Sequence, residues 1–204
     1  MHEHPPTTDN DYPVTFDVEY PDRELNRITT AFRIFAVIPI GILLAAVAGG
    51  GTLASAGILF LPVLLMLLFR EKYPRWWFDW NRELMRFTNR VYAYAFLMND
   101  QYPSTDEAQY VRLDLRYPDA KEELNRWLPL VKWFLAIPHY IVLFFLWLAA
   151  GVVLIIAWFA ILFTGRYPRS MFGFVEGVMR WTNRVLAYAF VLVTDRYPPF
   201  RLEP

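Results

Sequence analysis

Two long apolar runs constrain the fold more than any other feature of this chain. One covers residues 34–69 and the other residues 133–165, and neither contains Asp, Glu, Lys or Arg. A chain of 204 residues cannot build a soluble core large enough to cover both runs. The runs therefore predict a mainly α-helical integral membrane protein.

Each run is longer than one crossing needs. A spanning helix takes roughly 20 apolar residues, so each run predicts a hairpin of two short helices, about four transmembrane helices in all. The turns are expected at residues 49–52 and 149–151, where glycine occurs. The alternative is a pair of re-entrant hairpins, each bent by a proline, Pro39 or Pro138.

Either arrangement returns the chain to the side that it left. The predicted turns carry no Lys or Arg, whereas basic residues flank the apolar ends. By the positive-inside rule, we expect a multi-pass protein of the cell membrane with its termini and polar layer in the cytoplasm. The flanking basic residues are Arg27, Arg33, Arg70, Lys72, Arg126, Lys132, Arg166 and Arg169.

Short motifs recur in the same order along the chain. Alternating segments that start at Val14 and Val111 and end in Tyr-Pro predict two half-buried strands. Glu-Leu-Asn-Arg occurs at residues 24–27 and 123–126, and Thr-Asn-Arg-Val at 88–91 and 182–185. We therefore predict a tandem duplication with a pseudo-twofold axis. Its parts are a flexible polar tail (1–11), repeat 1 (12–103), repeat 2 (110–198) and a C-terminal tail (199–204).

An amphipathic helix is predicted after each apolar run. Apolar residues are separated by three and four positions alternately between Trp77 and Met98 and between Met171 and Leu192. Such helices lie flat at the membrane interface with their Trp and Phe side chains in the acyl boundary. Alternatively, the two stripes pack against one another or on the strands. The candidate interfacial anchors are Trp76, Trp77, Trp80 and Trp181.

The repeated Asn-Arg pairs are the main candidates for a binding site. An arginine beside an amide at the lipid surface can hold the phosphate headgroup of an anionic phospholipid through charge-assisted hydrogen bonds. The alternative is that these side chains join elements within the fold or between the repeats, or pair with Asp17, Asp22, Asp114 or Asp119. The candidates are Asn26, Arg27, Asn89, Arg90, Asn125, Arg126, Asn183 and Arg184.

His139 is the one histidine outside the N-terminal tail, and it lies in an apolar run. An ionisable side chain inside a membrane is a functional candidate by default. The first run has Ile40 at the matching position, so this histidine is not part of the repeated design. We expect it to bond a backbone carbonyl or a tyrosine hydroxyl, with proton or ligand handling as the alternative.

Composition argues against several functional classes. The 20 basic and 20 acidic residues cancel, which leaves no overall field to attract nucleic acid. No cysteine is present to act as a nucleophile or a metal ligand. The glycines at residues 49–51 are not followed by the Gly-Lys-Ser/Thr of a phosphate loop. We therefore expect no enzyme, no catalytic or metal site, no cofactor and no nucleic-acid partner.

The motifs together resemble a family of bacterial membrane proteins, the domain of unknown function 4389. The resemblance rests on the strand that ends in Tyr-Pro, the paired apolar segments, the Asn-Arg-Val-x-Ala-Tyr helix and the sequence at 194–200. It extends over nearly the whole chain in two copies, although the first copy ends differently at 99–104. The resemblance implies residence in a membrane and supplies no catalytic residues.

Three functions fit these observations. The first is a non-enzymatic membrane scaffold or accessory subunit that presents a cytoplasmic surface to a membrane-protein partner or to itself as a homo-oligomer. The second is a protein that binds or handles phospholipid. The third is a small transporter or channel module, which is disfavoured because it requires polar residues at mid-membrane depth, and Thr52, Ser55 and His139 are too few.

Overall fold

The computed structural model describes residues 12–49, 63–107 and 109–204, and these residues are mainly helical. They also include a 3₁₀ turn at Leu128–Leu130 and a π-helical turn at Ala187–Val191. The elements in chain order are β1 (Val14–Val18), α1 (Arg27–Ala31), α2 (Arg33–Ala36), α3 (Ile38–Gly49), α4 (helical residues 63–70), α5 (Arg75–Ala95), β2 (Val111–Leu115), α6 (Lys132–Leu135), α7 (Ile137–Thr164) and α8 (Arg169–Leu186).

The two strands predicted from alternation are confirmed and pair with each other. β1 and β2 form an antiparallel two-stranded sheet in which Val14 lies opposite Leu115 and Phe16 opposite Leu113. Both strands bury every second side chain, and Thr15 and the other intervening residues are exposed. One face of the sheet is therefore apolar and the other polar.

Helices α5 and α8 cover the apolar face of the sheet, with α5 on β2 and α8 on β1. The Arg86 Nε donates to the Leu113 carbonyl at 2.9 Å, and the Arg180 Nε donates to the Phe16 carbonyl at 2.8 Å. Because Phe16 and Leu113 face each other as a pair that exchanges no hydrogen bonds, these carbonyls point outward. The two arginines thus provide hydrogen-bond donors for carbonyl groups at the two edges of the sheet.

The amphipathic helices are confirmed, but α8 ends differently from α5. Repeat 2 has one residue more than repeat 1 between the shared Ala-Tyr-Ala-Phe sequence and the aspartate that follows it. After α5, Leu97 adopts a left-handed backbone with φ 65°, whereas α8 first makes its π-helical turn and Leu192 then adopts φ 64°. The π turn accommodates the extra residue.

α7 is one continuous helix of 28 residues, about 42 Å long at 1.5 Å per residue. The turn predicted at residues 149–151 is therefore wrong, since these residues lie in the middle of α7. A single glycine costs a helix only about 1 kcal/mol, and a turn would leave several backbone groups unpaired among apolar side chains. The turn predicted at residues 49–52 extends beyond α3 into residues outside those described.

α7 is the one helix in the described ranges that is long and apolar enough to cross a membrane, and only 17% of its most apolar window is buried. α3 belongs to a shorter apolar stretch, Arg33–Val47. One such helix gives weak support for membrane association. The number of crossings, about four by sequence, and the cytoplasmic orientation stay predictions.

Candidate functional site

A pair of buried amides, Asn89 and Asn183, joins α5 to α8. The Asn89 Nδ2 donates to the Asn183 Oδ1 at 2.8 Å, and the Asn183 Nδ2 donates to the Asn89 Oδ1 at 2.8 Å. Each Nδ2 also donates to the carbonyl one helical turn earlier, that of Met85 or Met179. The amides are thus occupied with each other and with their own helices.

The neighbouring arginines hold the polar segments that follow each helix. The buried Arg90 donates to the Glu107 carbonyl at 2.6 Å and to the Thr105 carbonyl at 2.9 Å. Arg184 makes two equivalent bonds to carbonyls of the C-terminal tail, at 3.3 and 3.0 Å. Burial lowers the pKa of both guanidinium groups. Both cations are therefore positioned to fasten backbone and not to face lipid.

The earlier Asn-Arg pairs lie at the surface. The Asn26 side chain caps α1 by accepting two backbone N–H groups, at 2.9 and 3.2 Å. The Asn125 side chain accepts one backbone N–H at 2.9 Å, and Arg126 forms an ion pair with Glu71. Arg27 is exposed. These contacts favour a joining role for the pairs, and headgroup binding stays a prediction.

Two of the basic residues predicted to flank the apolar runs are instead buried, and each forms an ion pair within the fold. Arg33 is 2% exposed and its Nη2 lies 2.6 Å from the Asp100 Oδ1, while Lys132 is 0% exposed and its Nζ lies 2.7 Å from the Asp195 Oδ1. Each cation also donates to the carbonyl before its aspartate, at 2.8 and 2.7 Å. Burial lowers the pKa of Lys132, and Asp195 opposes that shift.

The sequence contains a partial signal for these two ion pairs. Each apolar run begins with a basic residue six positions before a proline, and each repeat ends with an aspartate shortly before Tyr-Pro. More than sixty residues separate each cation from its aspartate. The pattern therefore identifies the two cations and the two aspartates but does not show which cation pairs with which aspartate.

His139 is buried in an aromatic cluster. Its Nδ1 accepts a hydrogen bond from the Trp181 Nε1 at 3.0 Å, and its ring stacks on Phe200 with 4.1 Å between centroids. The expectation that His139 bonds a backbone carbonyl or a tyrosine hydroxyl is therefore wrong. Because a neutral imidazole has one donor and one acceptor, the hydrogen lies on Nε2, which has no partner among the described residues.

The tryptophans divide between the core and the surface. Trp77 and Trp181 are buried in protein, so the expectation that these two anchor the chain at the lipid interface is wrong. The apolar stripes of α5 and α8 face the sheet and α7, where packing removes their area from water. Trp76 and Trp80 are exposed, and their role as anchors stays a prediction.

An apolar cleft lies beside the paired amides, where α5 and α8 meet. Its volume is about 360 Å³, and Thr88 and Thr182 add a few polar groups to a mostly apolar wall. The Trp147 Nε1 donates to the Thr182 Oγ1 at 3.2 Å. Size and lining are typical of sites for apolar ligands. The apolar lining residues include Leu44, Leu84, Tyr92, Trp147, Leu186 and Phe190.

A comparison with protein-family models finds a match to part of the chain. Residues 127–201 match the family model described as Domain of unknown function (DUF4389). We call this matched segment the DUF4389 domain. The resemblance expected from the motifs is thereby confirmed for the second half of the chain, and the second copy expected in the first half stays a prediction. No curated protein and no solved structure matches the chain.

The DUF4389 domain contains α7, α8, His139 and the Lys132–Asp195 ion pair. Two tyrosine hydroxyls make matching hydrogen bonds to tyrosine carbonyls. The Tyr20 hydroxyl donates to the Tyr167 carbonyl of this domain at 2.5 Å, and the Tyr117 hydroxyl donates to the Tyr73 carbonyl, both outside the domain, at 2.7 Å. No cluster of three or more histidines or carboxylates with metal-binding geometry occurs in the part of the chain that the structure describes.

Proposed function

We propose that the protein is a non-enzymatic scaffold attached to a membrane. Its apolar helices hold it to lipid, and the polar face of its sheet is presented to a partner protein or to another copy of the chain. The observation that carries this proposal is α7, which packs one narrow stripe against α8 and α1 and leaves the rest of its apolar surface exposed. Soluble proteins rarely expose so large an apolar face.

The use of the buried polar groups supports a structural role. Asn89, Asn183, Arg90 and Arg184 all bond within the chain, and so does Lys132. A catalytic site needs polar groups that are free to face a substrate. These buried polar groups therefore join elements of the fold, which suits a scaffold better than an enzyme.

The presented surface is the outer face of β1 and β2. Thr15, Asp17, Arg112 and Asp114 are exposed there, and Asp17 lies opposite Arg112 in the register. Mixed charge of this kind steers and orients a partner. We place this face in the cytoplasm because basic residues flank the apolar segments on the same side as the sheet.

A tandem duplication belongs to the same proposal. The Arg33–Asp100 and Lys132–Asp195 ion pairs occupy matching positions of the two predicted repeats, which supports a shared origin. The register of the sheet is also symmetric about the Phe16–Leu113 pair. A pseudo-twofold axis through the sheet and the Asn89–Asn183 pair accounts for both features.

Purification in mild detergent followed by mass analysis tests the scaffold. We expect a stoichiometric second protein or a defined homo-oligomer. Arg112→Glu on the outer face of the sheet should release the second protein or dissociate the homo-oligomer. Lys121→Glu, the same charge change at another exposed position, should leave the assembly intact. A bare monomer, or a chain that stays dissolved without any amphiphile, contradicts the proposal.

The apolar cleft favours a second function, the binding of a phospholipid acyl chain. Leu186→Trp fills the cleft and should lower the amount of phospholipid that is retained after purification. Ile141→Trp makes the same change in size on the outer face of α7 and should leave retention unchanged. Equal retention in both variants argues against this function.

A further inference from the structure

The buried residues of α7 form one straight stripe. His139, Ala150 and Ile161 are buried at every eleventh position, and Leu143 and Ala157 lie beside them. Eleven residues make about three helical turns, so these positions fall on a line along the helix. The stripe extends for about 33 Å. Protein therefore backs α7 along most of its length.

α8 and the start of repeat 1 supply that backing. α7 and α8 are consecutive helices packed side by side, and the first third of α7 lies against Trp181. Near the middle, the Trp147 Nε1 donates to the Thr182 Oγ1 at 3.2 Å. Further along, the Trp158 Nε1 donates to the Thr30 carbonyl at 3.1 Å. The contacts thus continue from the first third of α7 into its last third.

The sheet runs along the far side of α8. The Val18 backbone N–H donates to the Glu176 carboxylate at 3.3 Å, and the Arg180 Nε donates to the Phe16 carbonyl at 2.8 Å. As the residue number rises along α8 it falls along β1, so the two elements are antiparallel. The order across the molecule is therefore α7, then α8, then β1, and the outer face of β1 exposes Asp17.

This stacking decides the orientation of α7. Two packed layers separate it from the charged face of the sheet, a distance of about 20 Å. If α7 crossed the bilayer along its own axis, that charged face would lie beside it at the depth of the hydrocarbon, where charged side chains are costly. If α7 lies parallel to the membrane, the sheet lies in water.

We propose that α7 lies in the plane of one leaflet of a lipid bilayer and does not cross it. Ile141, Val152 and Phe163 are 56%, 59% and 77% exposed, and they follow the same spacing of eleven on the face opposite the buried stripe. This apolar face points into the acyl chains while α8 and the sheet stand above it. The inference rests on the membrane attachment proposed above, and it names a single leaflet as the partner.

The neighbouring helices extend the same surface. Thr30 of α1 contacts α7 through Trp158, and Phe32 and Phe35 next to it are exposed. Arg166, just beyond this same C-terminal end of α7, is exposed as well, at a position suited to phosphate groups. The exposed apolar surface of α7 therefore continues onto α1, with an exposed basic residue near the same end of the helix.

Depth measurements on the full chain test this orientation. Because the chain has no cysteine, single-cysteine variants carry one fluorophore each. Ile141→Cys, Val152→Cys and Phe163→Cys are labelled in vesicles of phosphatidylcholine and phosphatidylglycerol, and quenched by lipids with a quencher at known depths. We expect equal depths for the three labels. A crossing helix would instead separate successive labels by about 16 Å along the membrane normal.

Sidedness is the second measurement. Lys121→Cys and Ser170→Cys are exposed positions before and after α7. A membrane-impermeant maleimide should modify both to the same extent in vesicles with one protein orientation. Graded depths with the two sites on opposite sides overturn the inference and leave membrane attachment intact.

A label at Thr15→Cys on the outer face of the sheet is the control, and it should be quenched from water and not from lipid. If the three labels on α7 behave like this control and the protein does not float with vesicles, membrane attachment itself fails. The two kinds of failure are therefore distinguishable.

Discussion

The two buried ion pairs use different chemistry at matching places in the two halves of the molecule. In the first half, Arg33 engages Asp100 through its guanidinium, which also stacks over the Tyr94 ring at 4.0 Å. In the DUF4389 domain, a single ammonium of Lys132 serves Asp195 and a carbonyl. What both halves need is a buried cation at the start of the apolar run, and either side chain provides it.

The packing at the start of the two apolar runs differs more. Ile40 packs on Phe87 and Val91 in the first half, whereas His139 at the matching position requires Trp181 as a hydrogen-bond donor. An apolar contact tolerates exchange of its members, while a buried polar contact has to be satisfied as a pair. The buried ion pairs are therefore similar in the two halves, and the packing around them differs.

The largest effect is expected from Lys132→Met. The change leaves the Asp195 carboxylate and a carbonyl without their cation, and we expect it to lower the free energy of unfolding by about 3 kcal/mol. Chemical denaturation in detergent measures the loss.

The first half supplies the matched variant. Arg33→Met should cost a similar amount, and Lys132→Arg should restore most of the stability, because a cation returns to the site. If Lys132→Met costs less than about 1 kcal/mol, the ion pair behaves like an exposed one and the comparison between the halves fails.

The amide pair tests whether the halves are coupled. Asn89→Leu or Asn183→Leu alone leaves a buried amide without its partner and should cost about 2 kcal/mol. The double variant removes both polar groups and should cost clearly less than the sum of the single changes. The same denaturation experiment gives all three values, and strictly additive costs would contradict the pairing.

The ends of the apolar runs give a smaller effect. Gly165 ends the second run, Glu71 lies two residues after the first, and both have left-handed backbones, at φ 74° and φ 47°. Gly165→Ala places a side chain in that conformation and should cost roughly 1–2 kcal/mol. Gly173→Ala inside α8 meets nothing within 4 Å and should stabilise by about 0.5–1 kcal/mol. Denaturation midpoints that move in the same direction would refute the backbone explanation.

The smallest difference concerns two buried tyrosines at matching positions. The Tyr73 hydroxyl donates to the Val191 carbonyl of the π turn at 2.5 Å, whereas the Tyr167 hydroxyl has no partner among the described residues. Tyr73→Phe should cost about 1 kcal/mol, and Tyr167→Phe should be neutral or stabilising. Thermal unfolding of both variants under the same conditions makes the comparison, and equal costs would show that the π turn contributes nothing through Tyr73.

Local pattern predicted most of the elements. Alternation of period two fixed both strands, and apolar spacing of three and four fixed α5 and α8. The turn at residues 149–151 was wrong because a glycine signals a break only where water can satisfy the freed backbone groups. The partner of His139 was wrong because Trp181 reaches it only when α8 folds back along α7.

The sequence by itself determined the apolar runs, the strands, the amphipathic helices and the family of residues 127–201, since these depend on local composition and on short motifs. Only the tertiary structure decided that Lys132 meets Asp195, that Asn89 meets Asn183, and that α7 is backed by α8 and α1. The physical reason is that pairing between distant residues depends on how layers stack, and local periodicity carries no information about that stacking.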